Sequence, residues 1–184
     1  MLQGEEVSHD GLVTVDRARI WTLPEQVPDL VAPAISLAKA RSAADWADGL
    51  ITVNSSADYL RQMIDTYREA GGRGKLRLQV HLSWDPDPEK AMEIARDQWR
   101  SNVFPAPACW DIDSAEVFDA VSADVPAEVV RKTVLVSSDL GRHAQWLAEL
   151  RDLGFDGLYL HNVGQHQEAF IEAFGNEVLP QLHS

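Results

Sequence analysis

The sequence predicts an α/β fold built on a parallel sheet of the barrel kind, and three observations lead there. Between Leu30 and the C-terminus, a short strand-like apolar run followed by an amphipathic helix recurs four times. Such alternation calls for a parallel sheet, because each crossover helix returns the chain to the same edge in the same direction. The third run, Lys75 to Trp84, alternates Leu76, Leu78, Val80, Leu82 and Trp84 with Arg77, Gln79, His81 and Ser83. Successive strand residues point to opposite faces, so an apolar face is set to lie under helices while a ladder of hydrogen-bonding groups looks into a wet space. Finally, no strand is followed by a Gly-rich phosphate turn; Gly71-Gly72-Arg73-Gly74 follows a helix, which disfavours an open dinucleotide-binding sheet.

The elements follow in order. Glu5 to Thr22 reads as a hairpin turning at His9-Asp10-Gly11, with Leu12 to Ile20 as its second arm, because glycine accepts the positive φ of a tight turn. A proline-bearing connector completes an N-terminal region, 1–28, and the remainder, 29–184, reads as one unit. Leu30 to Ala34 is the first core strand, and Ser36 caps a helix running to about Trp46. Gly49 to Val53 is the second strand. Ser55 or Ser56 then caps a helix whose Leu60, Met63, Ile64 and Tyr67 fall on one face, and Gly71-Gly72 ends it. Asp85-Pro-Asp-Pro-Glu89 suits the positive end of a helix dipole, and Ala91, Met92, Ala95 and Trp99 form that helix's buried stripe. The segment 102–113, with Phe104, Cys109 and Trp110, is too apolar for a solvated connector and reads as an inserted lid or pocket wall. Short helices at Ser114 to Ser122 and Pro126 to Lys132 and a short run at Val134 to Ser137 follow. A helix from Asp139 to Leu153 buries Trp146, Leu147, Leu150 and Leu153. The fourth strand is Asp156 to His161, and a last helix, Gln165 to Leu182, buries Phe170, Ile171, Phe174 and Val178.

Composition excludes several classes of function. With 184 residues and a net charge of −13, the chain holds a real core and repels a polyanion, so nucleic acid is not an expected partner. No apolar run is long enough to span a bilayer, and a soluble, cytoplasmic protein is expected. Cys109 is the only cysteine, which rules out an internal disulfide or a multi-cysteine metal site. His161 and His166 lie five apart across a loop without a helical His-Glu-x-x-His pattern, so no metal site is expected. His81 and His161 stand near strand C-terminal ends, where binding groups of barrels collect; hydrogen-bonded core histidines are the competing account.

Four segments carry a resemblance: Ala34-Ile-Ser36 opening a helix, Ala47-Asp-Gly-Leu-Ile-Thr52, Gln79-Val-His-Leu-Ser-Trp-Asp-Pro-Asp-Pro88, and Gly154-Phe-Asp-Gly-Leu-Tyr-Leu-His161. In this order they resemble the bacterial-luciferase-like superfamily of flavin and deazaflavin oxidoreductases, nearest its glucose-6-phosphate dehydrogenase-like branch. The resemblance implies a (β/α)8 TIM-type barrel, of which this chain matches the C-terminal half, strands five to eight. A whole barrel takes about 250 residues. The catalytic histidine and glutamate of that branch lie on the absent half, so no catalytic residue is assigned here. The branch's Gly-Gly-Pro phosphate segment falls on Ile35, Ser36 and Leu37, which makes Ala34, Ile35, Ser36, Thr52 and Asn54 the implied cofactor residues. Ser36 reads equally well as a plain helix cap. Loss of both glycines leans toward FMN, with the deazaflavin coenzyme F420 as the alternative. Asn54-Ser55-Ser56 and Thr133 stand where that branch places basic residues, and a third basic position falls at or beside Cys109, so a non-phosphorylated small organic substrate is expected. Its implied pocket is Gln79, His81, Cys109, Trp110 and His161. The expected function is a flavin-dependent oxidoreductase or monooxygenase, with hydride passing between flavin and substrate. The alternative is a non-catalytic flavin-binding or assembly module, and the expected partners are a second copy or a missing N-terminal half-barrel.

Overall fold

The computed structural model describes residues 1–105 and 107–182. Near its start, β1 (Val7–His9) pairs antiparallel with β2 (Val15–Ala18), with an irregular register between Val7↔Ala18 and His9↔Val15. The second arm is thus shorter than the sequence suggested. Leu12 is fully exposed, and Arg17 adopts a φ of 45°, where its amide reaches the Ser8 hydroxyl at 3.1 Å. Residues 21–30 are exposed throughout.

Next come β3 (Val31–Pro33), α1 (Leu37–Ala43), β4 (Gly49–Val53), α2 (Ala57–Glu69), β5 (Lys75–Ser83) and α3 (Pro88–Trp99). They are followed by α4 (Ala115–Ser122), α5 (Ala127–Val130), β6 (Leu135–Val136), α6 (Leu140–Arg151) and β7 (Gly157–Asn162). The chain closes with α7 (Gln167–Ala173), a π turn at Phe174–Val178, and α8 (Leu179–Leu182). Helix starts are fixed by short polar side chains that accept first-turn amides: Ser36 from Lys39, Ser56 from Tyr59, Asp87 from Glu89 and Lys90, Ser114 from Val117, and Asp139 from Gly141 and Arg142. Helix α1 ends at Ala43, short of Trp46, which is exposed.

All five strands from β3 onward are parallel: β3 pairs β4, β4 pairs β5, and β5 pairs both β6 and β7. The run at Val134 to Ser137 therefore joins the sheet as a fifth strand, although the four-fold repeat does not include it. Leu82 is in register with both Leu135 and Asn162, so β6 and β7 lie on opposite edges of β5. Strand β6 takes over the edge that β4 leaves after Val53↔Gln79. Two Asp-Gly pairs set the strand starts with the same two-bond clasp. Asp48 N donates to Leu30 O at 2.8 Å while its Oδ2 accepts from Leu30 N at 2.9 Å; Asp156 does the same with Leu76, at 2.8 and 2.7 Å.

Packing confirms the faces of β5. Leu76, Leu78, Val80 and Leu82 are buried against Leu60, Met63 and Tyr67 of α2, Ala144 and Leu147 of α6, and Phe170 and Phe174. Full burial of each such leucine is worth about 1.5–3 kcal/mol. A second cluster, Ala91, Ala95, Val125, Val130, Val134, Val136 and Val163, packs α3 and α5 over the carboxyl ends of the strands, with Met92 and Trp99 at its margin. Ile171, expected in the core, is 65% exposed. Phe170 and Phe174 repeat at i, i+4, and the wider π turn then brings Val178 back beneath them, leaving Ile171 about 100° away. Trp146, likewise expected buried, is only half-buried, and His143 takes the inward position on α6. Among the described residues, no helix is long and apolar enough to cross a membrane.

Candidate functional site

The register of β5 and β7 places His81 beside His161, and both side chains lie on the face opposite the leucines. Their Nδ1 atoms are 2.9 Å apart. The indole of Trp99, at the end of α3, covers them: its ring centroid is 4.4 Å from that of His81 and 5.4 Å from that of His161. Burial, and secondarily the neighbouring His161 ring, push the His81 pKa down from 6.5 to about 4, so its ring is neutral near pH 7. Two residues back along β5, Gln79 shares this face and is in register with Tyr159, which is about half exposed. Arg77 comes next. Its guanidinium is 3.7 Å from Asp29, and one of its nitrogens is buried without a protein partner.

The histidine pair is held from behind by Asn54. Strand β4 ends at Val53, and the Asn54 amide makes one further strand-like bond to Gln79 O at 3.0 Å. Its side chain then replaces the missing strand: Oδ1 accepts from His81 N at 3.0 Å, and Nδ2 donates to Thr133 O at 3.4 Å. Both ends of the Asn54 amide are thereby engaged within the protein, and the residue acts as a clamp on β5 in place of the ligand contact expected of it. Thr52 departs from expectation more sharply. It is in register with Leu78, is buried, and lies on the helix-facing side of the sheet, away from the histidines.

Ala34 is buried and Ile35 is 67% exposed at the start of α1. The Ser36 hydroxyl accepts from Lys39 N at 3.4 Å, and Ile35 O accepts from the Tyr59 hydroxyl at 3.0 Å. Beside this start runs a groove of about 480 Å³ lined by Pro33, Ile35, Lys39, Ser42 and Trp46. The segment 102–113 contains two short turns, Arg100–Val103 and Ala108–Trp110, with Ala106 outside the described residues. Trp110 is 74% exposed and Cys109 half-buried, and among the described residues neither makes a ring contact or a side-chain hydrogen bond with His81 or His161. The aromatic wall is Trp99 instead. The sequence placed Trp99 in a core stripe, and its contact with the histidines depends on how far α3 overhangs β5, which helical spacing alone does not fix.

Comparison with known proteins bears on both fold and family. The family described as luciferase-like monooxygenase matches residues 1–157. An F420-dependent glucose-6-phosphate dehydrogenase of Microbacterium testaceum (strain StLB037) is 28% identical over 189 residues, which cover 97% of this chain and 56% of that protein. One from Kribbella flavida (strain DSM 17836 / JCM 10339 / NBRC 14399) is 29% identical with the same coverage. This chain thus spans a little over half the length of these relatives. Among solved structures, an F420-dependent secondary alcohol dehydrogenase in complex with an F420-acetone adduct superposes with a TM-score of 0.83 at 21% identity, over 97% of this chain and 56% of that one. A type II Baeyer-Villiger monooxygenase component from Pseudomonas putida, in complex with FMN, gives a TM-score of 0.58 at 15% identity, over 98% and 59%. At these identities the superpositions establish the fold: an α/β architecture of parallel strands and helices, as in the luciferase-like barrels.

Proposed function

The chain belongs to the luciferase-like monooxygenase family, and on that premise we propose that it forms part of the cofactor and substrate site of an oxidoreductase using F420. The observation that carries this reading is the convergence of His81, His161 and Trp99 at the carboxyl ends of β5 and β7, the end of a parallel barrel sheet where ligands bind. The F420-dependent relatives favour the deazaflavin over the FMN expected from the sequence. FMN is the second reading, because Ile35 and Ser36 stand where the glycines of the deazaflavin branch would admit a close backbone approach.

The residues fit a phosphate-bearing cofactor at one place. First-turn amides of a helix lack intrahelical partners, and Lys39 lines the groove beside Ile35 and Ser36. Thr52 takes no part, and Asn54 acts through His81. When bound, the cofactor supplies the hydride acceptor or donor. Gln79, His81 and His161 face the substrate, and Trp99 keeps water from the His81 ring. Residues 29–184 act as the strand-helix units of a barrel, the four that the sequence repeats and the short β6 with them, with 102–113 as an insertion and 1–28 as a separate hairpin and connector. The open face of the sheet is closed by the other half of a barrel or by a second copy.

Equilibrium titration with F420 and with FMN, each followed by its own fluorescence, tests the reading. Saturable F420 binding is expected, weakened at least tenfold by Ser36→Asp, which sets a carboxylate against the phosphate (about 1.4 kcal/mol). FMN binding with no F420 binding overturns the deazaflavin, and binding of neither overturns the cofactor role of this chain.

A further inference from the structure

The sheet ends in two unlike flanks. Strands β3 and β7 each pair on one side only among the described residues, so each presents a row of free backbone groups. Beside the free edge of β3 runs the groove described above, floored by the small side chains of Ala32, Ala34 and Ala43 and walled by Ile35, Ser42 and Trp46, of which Ile35 and Trp46 are exposed. The helical segment after β7 offers a ridge instead. Phe170, Phe174 and Val178 are buried, and the stripe one residue further on, Ile171, Gly175 and Leu179, is exposed. A Cβ on Gly175 would meet nothing within 4 Å. Charge divides in the same way. Helix α1 carries Lys39 and Arg41 and no acid, whereas 167–182 carry Glu168, Glu172 and Glu177 and no base, and among the described residues none of these five forms an ion pair.

We infer that two copies of this chain join head to tail, the Ile171–Gly175–Leu179 ridge of one seated in the groove of the other, and that the two equal junctions close an eight-stranded barrel. This deepens the reading above by naming what closes the open sheet, and it rests on that reading of the strands as part of a barrel. Strands β3, β4, β5 and β7 lie side by side, and β6 continues the place of β4 without adding width. Two copies therefore supply eight strand positions, the number at which side chains just fill a barrel interior. A second copy fits better than an unrelated chain because the two flanks complement each other, an apolar-rimmed groove against an apolar ridge and a basic helix against an acidic one. Each flank is used once per copy, so a two-fold axis along the strands satisfies both junctions and leaves neither edge free. The pairing also completes the site. Within one copy the start of α1 lies three strand positions from β7. Across the junction the partner's Ser36 helix start stands beside the end of the strand that carries His161. The ridge takes the Ser42 end of the groove, and the first-turn amides of α1 stay open to an anion.

Sedimentation velocity of the whole chain, without F420 or FMN, tests the assembly in about 0.15 M salt, where repulsion between copies of net charge −13 is screened beyond about 8 Å. A single dimeric species is expected at about 10 μM, which corresponds to a micromolar or tighter Kd. Gly175→Arg, whose added Cβ meets nothing in its own chain, is expected to raise that Kd at least tenfold. The direction of joining is read with a short bismaleimide cross-linker, in chains that carry Cys109→Ser together with either Ser42→Cys or Gly175→Cys. Covalent dimers are expected only when the two are mixed, because the head-to-tail junction brings position 42 of one copy to position 175 of the other. A monomer overturns the proposal and gives the groove to a different chain. A ladder of higher assemblies, cross-linking of either chain alone in place of the mixture, or a Gly175→Arg dimer as tight as the parent's overturns it too. All of this is read without cofactor, so failure here is distinguishable from failure of F420 or FMN binding.

Discussion

Replacing Asn54 by alanine is the most informative single perturbation of this site, because it removes a structural bond without touching either imidazole. On the β4 edge of β5, the last strand-like bond is Asn54 N to Gln79 O; the next inward amide, that of His81, is satisfied by Asn54 Oδ1 at 3.0 Å. Alanine leaves that amide unpaired at a residue only 9% exposed. A buried donor left without a partner costs about 1–3 kcal/mol. The bond to Thr133 O, at 3.4 Å, is long and adds little. The expected loss of about 1–3 kcal/mol is a sizeable share of a typical 5–15 kcal/mol domain stability. It is read as a lower urea midpoint with an unchanged slope. Asn54→Asp keeps an acceptor for His81 N and loses only the donor to Thr133 O, so it should recover part of the loss. If Asn54→Ala stays within about 0.5 kcal/mol of the parent, the spread seen for neutral surface changes, water replaces the side chain and the clamp is not a clamp.

Two glycines three residues apart should respond by different mechanisms. A Cβ on Gly74 would sit 1.9 Å from the Asp48 carbonyl oxygen, so Gly74→Ala must push the starts of β4 and β5 apart and is expected to cost more than about 3 kcal/mol. Gly71 has φ +96° and open space around it, so Gly71→Ala is expected to cost only left-handed strain, about 1–2 kcal/mol; equal urea midpoints for the two variants would refute the steric account. Stability should also depend on pH through His81. Its folded pKa, about 4, lies below the unfolded 6.5, so the unfolded chain binds more protons between those values and stability falls as pH drops through that window. The slope cannot exceed about 1.4 kcal/mol per pH unit for one group. Burial lowers the His143 pKa as well and adds in the same sense. His161→Phe removes one cause of the His81 shift and should flatten the curve below pH 6, whereas an unaltered curve would separate the two rings electrostatically.

What the sequence made legible depended on whether a residue's position follows from its near neighbours. Strand β4 falls at Gly49–Val53 as read, because Asp-Gly before it and Asn-Ser-Ser after it bound a five-residue apolar run. The faces of β5 follow from period two over nine residues, and that long alternation outweighs any ambiguity at its ends. Thr52 obeys the same rule against the resemblance: it stands two residues from Leu50 and so shares its core face, a signal in the sequence that outweighs the ligand position the resemblance implies. The run at Val134 to Ser137 and the stripe that holds Trp99 are local signals, but neither carries one for its place against β5. A two-residue strand exists only because β4 stops short and leaves β5 an open edge, and Trp99 meets the histidines only because the second apolar cluster seats α3 over the strand ends. The His81–His161 contact lies between these cases. Each histidine was legible as a polar group near the end of a strand, but their contact at 2.9 Å is set by the register of two parallel strands eighty residues apart, which the Asp156 clasp on Leu76 fixes. A carboxylate at the opposite end of β7 therefore governs the geometry of the site, and loss of the Asp156 side chain should be felt at the histidine pair before any residue around it is changed.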